Sequence, residues 1–209
     1  MLIETLKWRH EFKASETASE TFPEDIFGKL GYVYGKDKEG RPVTYNVYGG
    51  NTDLGVVFGD TQRFLRWRVG LMEKGLKLVD FLTVDSLVQV HDYDGVGLSS
   101  RNADSKRAAS EATKIFQDFY PELLVSLPPS ENLLTSSNAY PMSQHKKYFI
   151  NVPALMAWIF WAFKPLVSAQ TFAKLQVVGK GPAVIGKELL LAVDKSELPK
   201  RYGGDADAF

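Results

Sequence analysis

The run Ser86-Leu-Val-Gln-Val-His-Asp-Tyr93, which ends at Asp94-Gly95, is a β-rich segment between two long helical segments. Before it, apolar residues recur near helical spacing over residues 60–81, and Asp60 or Thr61 is the predicted N-cap. After it, the same spacing predicts a helix over residues 104–124. Because strands and helices alternate, we expect an α/β layer structure in which at least part of the sheet is parallel.

Four further strands and one short helix complete the expected pattern. Residues 32–35 and 42–48 are β-rich and flank a charged turn that contains glycine, so they predict a hairpin. Residues 148–152 and 175–178 predict two later strands, and residues 187–193 predict a short helix. The sequence therefore predicts one α/β domain with about five strands.

Composition excludes several classes of function. The charges of the 209-residue chain balance, with 25 Lys and Arg against 25 Asp and Glu, so there is no broad basic field to attract nucleic acid. The absence of cysteine from the sequence excludes disulfides, thiolate catalysis, iron–sulfur clusters and cysteine-ligated zinc. The sequence also lacks a P-loop, a Gly-x-Ser-x-Gly motif and a His-Glu-x-x-His motif, so we do not expect an enzyme.

Two segments stand out by their composition. Residues 153–163, Pro-Ala-Leu-Met-Ala-Trp-Ile-Phe-Trp-Ala-Phe, are the most apolar stretch, but they are shorter than the roughly 20 residues that a bilayer-spanning helix needs. A helix that is apolar on all sides must be buried, cover a ligand or lie against lipid. Residues 125–145 are rich in Ser, Pro and Asn, and they predict a surface excursion.

Two residues near the end of the central strand are candidates for ligand binding. His91 and Tyr93 are two positions apart on a predicted strand, so their side chains leave the same face and can enter one cavity. A phenolate oxygen is a known type of axial haem ligand. Residue types and spacing alone fit a hydrogen-bonded core pair as well as a metal site, so both interpretations stay open at this point.

Four motifs resemble the CRAL-TRIO domain family, in the family's order: Gln89-Val-His-Asp-Tyr-Asp-Gly-Val96, Phe119-Tyr-Pro-Glu-Leu123, Tyr148-Phe-Ile-Asn-Val-Pro153 and Leu198-Pro-Lys-Arg-Tyr-Gly-Gly204. The resemblance runs from Trp8 to Gly204. It implies the CRAL-TRIO fold, an α/β fold in which an about five-stranded, mostly parallel sheet is flanked by helices and encloses a gated apolar pocket. It also implies that the pocket binds phosphatidylinositol and exchanges it with a transient membrane surface.

Three further segments resemble the non-classical, haem-binding branch of the fungal phosphatidylinositol transfer proteins: Leu6-Lys-Trp-Arg-His-Glu-Phe12, Arg63-Phe-Leu-Arg-Trp-Arg-Val-Gly-Leu-Met-Glu-Lys-Gly-Leu76 and Val90-His-Asp-Tyr93. This resemblance implies haem b as a cofactor. Tyr93 matches the tyrosine that ligates the haem iron, and His91 matches the histidine that supports it. Arg68 and Lys147 match the basic residues that meet the haem propionates, a role that suits both side chains.

The family also implies a headgroup site and a gate. Glu122 and Lys174 match the residues that handle the inositol phosphate, although a helix-end acid and a solvated strand-start lysine would look the same. Residues 154–163 match the gating helix that admits lipid, and a plain buried core helix is the alternative. The gating residues singled out are Ala154, Trp158, Trp161 and Phe163.

A division into parts follows from the same resemblance. Residues 1–12 are expected to be the remnant of an N-terminal helical unit, and residues 13–209 the lipid-binding domain. In the haem-binding branch a second tyrosine near the haem precedes the Trp-Arg-x-Glu-Phe motif, and this sequence has no counterpart for it. Residues 125–145 are expected to be an atypical insertion, because family members pass almost directly from the Tyr-Pro-Glu-Leu helix to the next strand.

Three functions follow from these expectations. The first is a haem-binding phosphatidylinositol transfer protein, the second is a phosphatidylinositol carrier without haem, and the third is a weak haem-dependent peroxidase. Tyr93 ligates iron in the first and is polar pocket lining in the second. The family resemblance implies a cytoplasmic protein with peripheral attachment to endoplasmic reticulum or microsomal membranes.

Overall fold

The computed structural model describes residues 2–49, 53–97, 103–120, 147–152 and 175–209. The described strands form one five-stranded sheet in the order β1-β2-β3-β4-β5: Gly31–Lys36, Pro42–Val47, Val88–Asp92, Lys147–Ile150 and Leu175–Val177. β1 and β2 form the predicted antiparallel hairpin, and the other neighbouring strands pair in parallel. The predicted α/β fold with a mostly parallel sheet is confirmed.

Six helices accompany the described strands: α1 (Leu2–Phe12), α2 (Glu24–Phe27), α3 (Leu54–Gly59), α4 (Thr61–Leu76), α5 (Ala103–Phe119) and α6 (Pro182–Leu189). Short 3₁₀ turns occupy Ala14–Ser19 and Lys200–Tyr202. Asp60 caps α4 as predicted, because its carboxylate accepts from the Arg63 N–H at 3.0 Å.

The bounds of three helices differ from the prediction, and α5 runs from Ala103 to Phe119 where residues 104–124 were predicted. α4 ends at Leu76 rather than at residue 81, because the carboxylate of Asp80 binds the backbone of the following turn instead. The short helix predicted over 187–193 runs from Pro182 to Leu189. Pro182 at its first turn is a start signal that helical spacing alone did not reveal.

The sheet has one apolar face and one polar face, because side chains alternate along each strand. The apolar face of β2, β3 and β4 packs against α6 and the C-terminal segment. This core contains Val43, Tyr45, Val88, Val90, Tyr148, Ile150, Ile185, Leu189, Val193, Leu198 and Tyr202. The opposite face carries polar and aromatic side chains and lies toward α4 and α5.

α4 packs closely against its neighbours because two of its positions are glycine. A Cβ atom at Gly70 would lie 2.6 Å from the carbonyl oxygen of Thr17, and one at Gly75 would lie 2.9 Å from Cγ2 of Thr44 on β2. A larger residue at position 70 would push α4 away from the 3₁₀ turn, and one at position 75 would push it away from β2. Gly75 therefore fixes the depth of the space between α4 and the polar face.

The Trp-Arg-x-Glu-Phe motif of α1 joins that helix to α4 and α5. Arg9 donates from Nη1 and Nη2 to the two carboxylate oxygens of Glu73, at 2.8 and 2.9 Å. The Tyr120 hydroxyl donates to the same carboxylate at 2.5 Å, and Trp8 stacks on Phe119 with ring centroids 4.3 Å apart. This network holds α5 beside α4.

No helix in the described ranges is long and apolar enough to cross a bilayer. The predicted gating helix, 154–163, and the predicted insertion, 125–145, lie outside the described residues. The division at residue 12 stays a prediction.

Candidate ligand-binding site

The candidate site is built on the polar face of the three central strands. Strand register aligns Asn46 of β2 with His91 of β3, and His91 with Phe149 of β4. It likewise aligns Gln89 with Lys147. Tyr93 follows β3 and continues its ladder, since its N–H donates to the carbonyl of residue 150 at 3.1 Å. Side chains that are far apart in sequence therefore share one surface.

A chain of hydrogen bonds fixes the orientation of His91. Arg68 of α4 donates from Nη2 to Oε1 of Gln89 at 3.2 Å, which identifies that amide atom as an acceptor. His91 Nε2 lies 3.4 Å from the same oxygen, so Nε2 carries the proton and Nδ1 accepts. The Tyr48 hydroxyl, 3.1 Å from Nδ1, is then the donor. Both ring nitrogens of His91 are occupied.

Aromatic rings surround this chain of hydrogen bonds. Phe149 stacks near His91 and Tyr93, with ring centroids 5.2 and 6.3 Å away. The Tyr48 ring lies 5.3 Å from that of Tyr93. The guanidinium of Arg68 lies 4.5 Å above the ring of Phe116 on α5, within the range of a cation–π contact. The described part of the predicted pocket is thus aromatic and polar rather than purely apolar.

Two cations on this surface have no carboxylate partner in the part of the chain that the structure describes. Arg68 is buried, with 4% of its surface exposed, and Lys147 is half-buried. No carboxylate of the described residues forms an ion pair with either of them. Burial and the positive charge of Arg68 lower the pKa of Lys147 to about 7. Burial, then Lys147 and Arg68, likewise lower the pKa of His91 well below its usual value, which keeps the ring neutral.

The Tyr93 hydroxyl faces no hydrogen-bond partner among the described residues. Burial raises its pKa, and the neighbouring Tyr48 adds to that effect while Arg68 opposes it. The fully buried Asn46 also leaves its Oδ1 atom unpaired. Arg68, Lys147 and the Tyr93 hydroxyl, which have no carboxylate partner among the described residues, suit a ligand that brings anionic groups, whereas the Asn46 oxygen would accept from a ligand donor.

These residues fit the donor set expected for haem. A tyrosine oxygen can ligate haem iron, and Arg68 and Lys147 can meet two carboxylates. The described ranges contain no cluster of three or more His, Cys, Asp or Glu that could hold a free metal ion.

The structure brings together four of the predicted site residues, namely Arg68, His91, Tyr93 and Lys147. The headgroup candidates Glu122 and Lys174 lie outside the described residues. So do all four gating residues, Ala154, Trp158, Trp161 and Phe163.

Three residues of the site were missed by the sequence analysis: Asn46, Tyr48 and Gln89. Each alternates with apolar neighbours on β2 or β3, so polar residues at every second position of these strands were the available signal. Their assignment to one surface needed the strand register.

A second polar cluster lies at the carboxyl end of β3 and is structural. Asp92, only 1% exposed, accepts from Asn151 Nδ2 at 2.8 Å and from the Asp94 N–H at 2.9 Å. Its other oxygen accepts from the Tyr202 hydroxyl at 2.9 Å and from Arg201 Nη2 at 3.2 Å. The C-terminal Lys-Arg-Tyr motif is thereby fastened to the central strand.

The chain is similar in sequence to a known domain family and to fungal lipid-transfer proteins. A sequence model of the CRAL/TRIO domain matches residues 26–127 and 131–204. The phosphatidylinositol transfer protein SFH5 of Phaeosphaeria nodorum is 33% identical over 224 residues, covering 97% of this chain and 59% of that protein. The phosphatidylinositol transfer protein SFH5 of Kluyveromyces lactis is 36% identical over 210 residues, covering 98% of this chain and 62% of that protein.

The chain is also similar to a solved structure. The crystal structure of Sfh5 superposes with a TM-score of 0.75 at 31% identity, covering 98% of this chain and 66% of that chain. This chain therefore spans about three-fifths of the length of the two curated relatives.

Proposed function

Because the chain belongs to the CRAL/TRIO domain family, we propose that it is a non-catalytic lipid-binding protein that carries phosphatidylinositol between membranes. The names of two relatives support this proposal. The observation that carries it is the pair Arg68 and Lys147, two cations among aromatic rings with no carboxylate partner in the described part of the chain. Such a surface suits an amphipathic ligand with an anionic group, either a lipid phosphate or a haem carboxylate.

Haem is the more specific ligand in this proposal. When bound, haem supplies an iron centre and two carboxylates. Tyr93 would hold the iron through its hydroxyl oxygen, and Arg68 and Lys147 would hold the carboxylates. His91 would act as a positioning residue rather than as a ligand, because its ring nitrogens are engaged by Tyr48 and Gln89.

The absorption spectrum and the lipid content of the purified protein distinguish the two ligands. A Soret band supports haem as a ligand. A colourless protein that still moves labelled phosphatidylinositol between vesicles supports the carrier function without haem. A protein that neither binds haem nor transfers phosphatidylinositol contradicts the proposal. We further propose that the carrier works in the cytoplasm with peripheral attachment to the endoplasmic reticulum.

Tyr93→Phe is expected to remove the Soret band while leaving the fold intact. The change deletes one oxygen that has no hydrogen-bond partner among the described residues, so the loss of stability should stay below about 0.5 kcal/mol. Tyr32→Phe, a half-buried tyrosine on β1, is the matched control and should keep the spectrum. If the spectrum of Tyr93→Phe equals that of the unaltered protein, Tyr93 does not ligate the iron.

Lys147 is expected to make the stability of the ligand-free protein depend on pH. Its pKa is lowered from 10.5 to about 7. As the pH rises, the folded protein therefore releases this proton at a lower pH than the unfolded chain does. The cost of the charged, half-buried amine is thus fully present below about pH 7 and disappears as the pH rises toward about 10.5.

Melting temperatures across that range test this prediction. Lys147→Met should melt at a higher temperature than the unaltered protein at about pH 6, and the gap should narrow as the pH rises past 7. Lys77→Met, at an exposed lysine just after α4, should show no such trend. A gap that stays constant with pH would mean that Lys147 is well solvated.

A further inference from the structure

The turn between α4 and β3 exposes three large apolar side chains. Leu78, Phe81 and Leu82 are 55%, 63% and 94% exposed, respectively. Between them, Val79 is buried and anchors the turn to the body of the protein. A cluster of three large apolar residues at one tip differs from the single exposed apolar residues that are normal on protein surfaces.

The turn is held rigidly in this outward conformation. Oδ1 of Asp80 accepts from the N–H groups of Leu82, Thr83 and Val84 at 2.9, 2.8 and 3.2 Å, and the Thr83 hydroxyl donates to Oδ2. The Phe81 N–H donates to the Val84 carbonyl at 3.0 Å. These bonds hold Phe81 at a φ of 57°, a left-handed conformation that aromatic residues rarely adopt. Such strain persists only where the surrounding contacts determine it.

Two lysines precede the tip that Leu78, Phe81 and Leu82 form. Lys74 on the last turn of α4 and Lys77 just after that helix are exposed, and neither forms an ion pair in the described part of the chain. The carboxylate of Asp80 accepts hydrogen bonds from the Thr83 hydroxyl and from backbone N–H groups. These hydrogen bonds lower its pKa. Asp85 lies on the other side of the turn, next to β3.

We propose that Leu78, Phe81 and Leu82 form a membrane-docking tip that inserts into the boundary between headgroups and acyl chains of a bilayer containing anionic lipid. This proposal rests on the proposed function, since a carrier must contact the membranes that it serves. A protein partner is less suitable, because stable protein interfaces bury about 800 Å² on each side, more than three side chains on one turn supply. Aromatic and aliphatic side chains flanked by lysines are the usual composition of an interfacial anchor.

The tip lies at the same edge of the sheet as Lys147. It leads into the amino end of β3, and a Cβ atom at Gly40 in the β1–β2 turn would lie 3.9 Å from Val84. Lys147 begins β4, which runs parallel to β3. Insertion at this edge would bring the bilayer to the amino ends of the strands that carry the candidate site.

Co-sedimentation with vesicles tests the proposal. The unaltered protein should bind vesicles of phosphatidylcholine and phosphatidylserine, and Phe81→Ala/Leu82→Ala should bind them at least about tenfold more weakly. Val184→Ala/Leu191→Ala, which truncates two exposed apolar residues elsewhere, is the control and should bind normally. Lys74→Gln/Lys77→Gln should weaken binding to these vesicles but not to vesicles of phosphatidylcholine alone.

Equal vesicle binding by Phe81→Ala/Leu82→Ala and the unaltered protein would overturn the proposal, as would no vesicle binding by the unaltered protein. A change from dimer to monomer with unchanged vesicle binding would overturn it in favour of self-association. Phosphatidylinositol that co-purifies with each variant is measured in parallel. If the tip variant loses vesicle binding but no variant carries phosphatidylinositol, the docking tip stands and the proposed function fails.

Discussion

Asp92→Ala is expected to lower the free energy of unfolding by about 4 kcal/mol, the cost typical of breaking a buried charged network. Asp92 is 1% exposed, and its carboxylate accepts four hydrogen bonds. Alanine leaves the Tyr202 hydroxyl and the Asn151 amide buried without a partner. It also detaches the C-terminal 3₁₀ turn from β3, and that turn covers the apolar face of the sheet.

Asp92→Asn separates shape from charge at this position. Asparagine has nearly the same volume, but it places an NH₂ group where two donors converge, so we still expect a loss of about 3 kcal/mol. Urea unfolding followed by circular dichroism measures both changes. Asp94→Asn, at the exposed acid two positions further on, is the control and should cost less than about 0.5 kcal/mol. A change below 1 kcal/mol for Asp92→Ala would contradict this account of the cluster.

The fold could be predicted largely because periodicity is a local property. Alternation along residues 86–93 and helical spacing over 60–81 and 104–124 are each contained in one segment, and each segment forms the expected type of element. The predicted boundaries were wrong where one side chain decided between two local structures. Asp80 ends α4 early by binding the next turn, and Pro182 starts α6 before the apolar spacing becomes regular.

The candidate site could be predicted only in part, because it depends on contacts between distant segments. Spacing alone placed His91 and Tyr93 on one face, and the structure has them there. The contact between Arg68 and Gln89 depends on how deeply α4 packs, which Gly75 sets through its contact with β2. The Tyr48 bond to His91 depends on strand register. Neither packing depth nor register can be read from one segment.

The Asp92 cluster illustrates the same limit at a longer range. The Leu-Pro-Lys-Arg-Tyr-Gly-Gly motif is recognisable in the sequence, but its physical role appears only when Tyr202 meets a carboxylate 110 residues earlier in the chain. Resemblance to a family could locate this motif without explaining it. The hydrogen bonds to Asp92 supply the explanation.

Arg68→Met/Lys147→Met is expected to weaken haem binding by about 100-fold or more, and to weaken phosphatidylinositol binding similarly if the lipid phosphate uses the same cations. Each charge-assisted hydrogen bond to an anion contributes about 1.5–3 kcal/mol, so the loss of two gives at least that factor. Methionine keeps the length and apolar stem of both side chains. Spectroscopic titration with haem and transfer of labelled phosphatidylinositol measure the two effects separately.

The same variant should make the ligand-free protein more stable, and this opposite sign distinguishes a binding role from a structural one. Arg68 is buried and Lys147 half-buried beside each other without a carboxylate in the described part of the chain, so their mutual repulsion and desolvation oppose folding until an anion binds. Removing both charges removes that cost, as expected where function and stability conflict. If the variant instead loses both ligand binding and stability, Arg68 supports the fold through Gln89 and Phe116. If it keeps ligand affinity, the anion binds elsewhere and the proposed site is wrong.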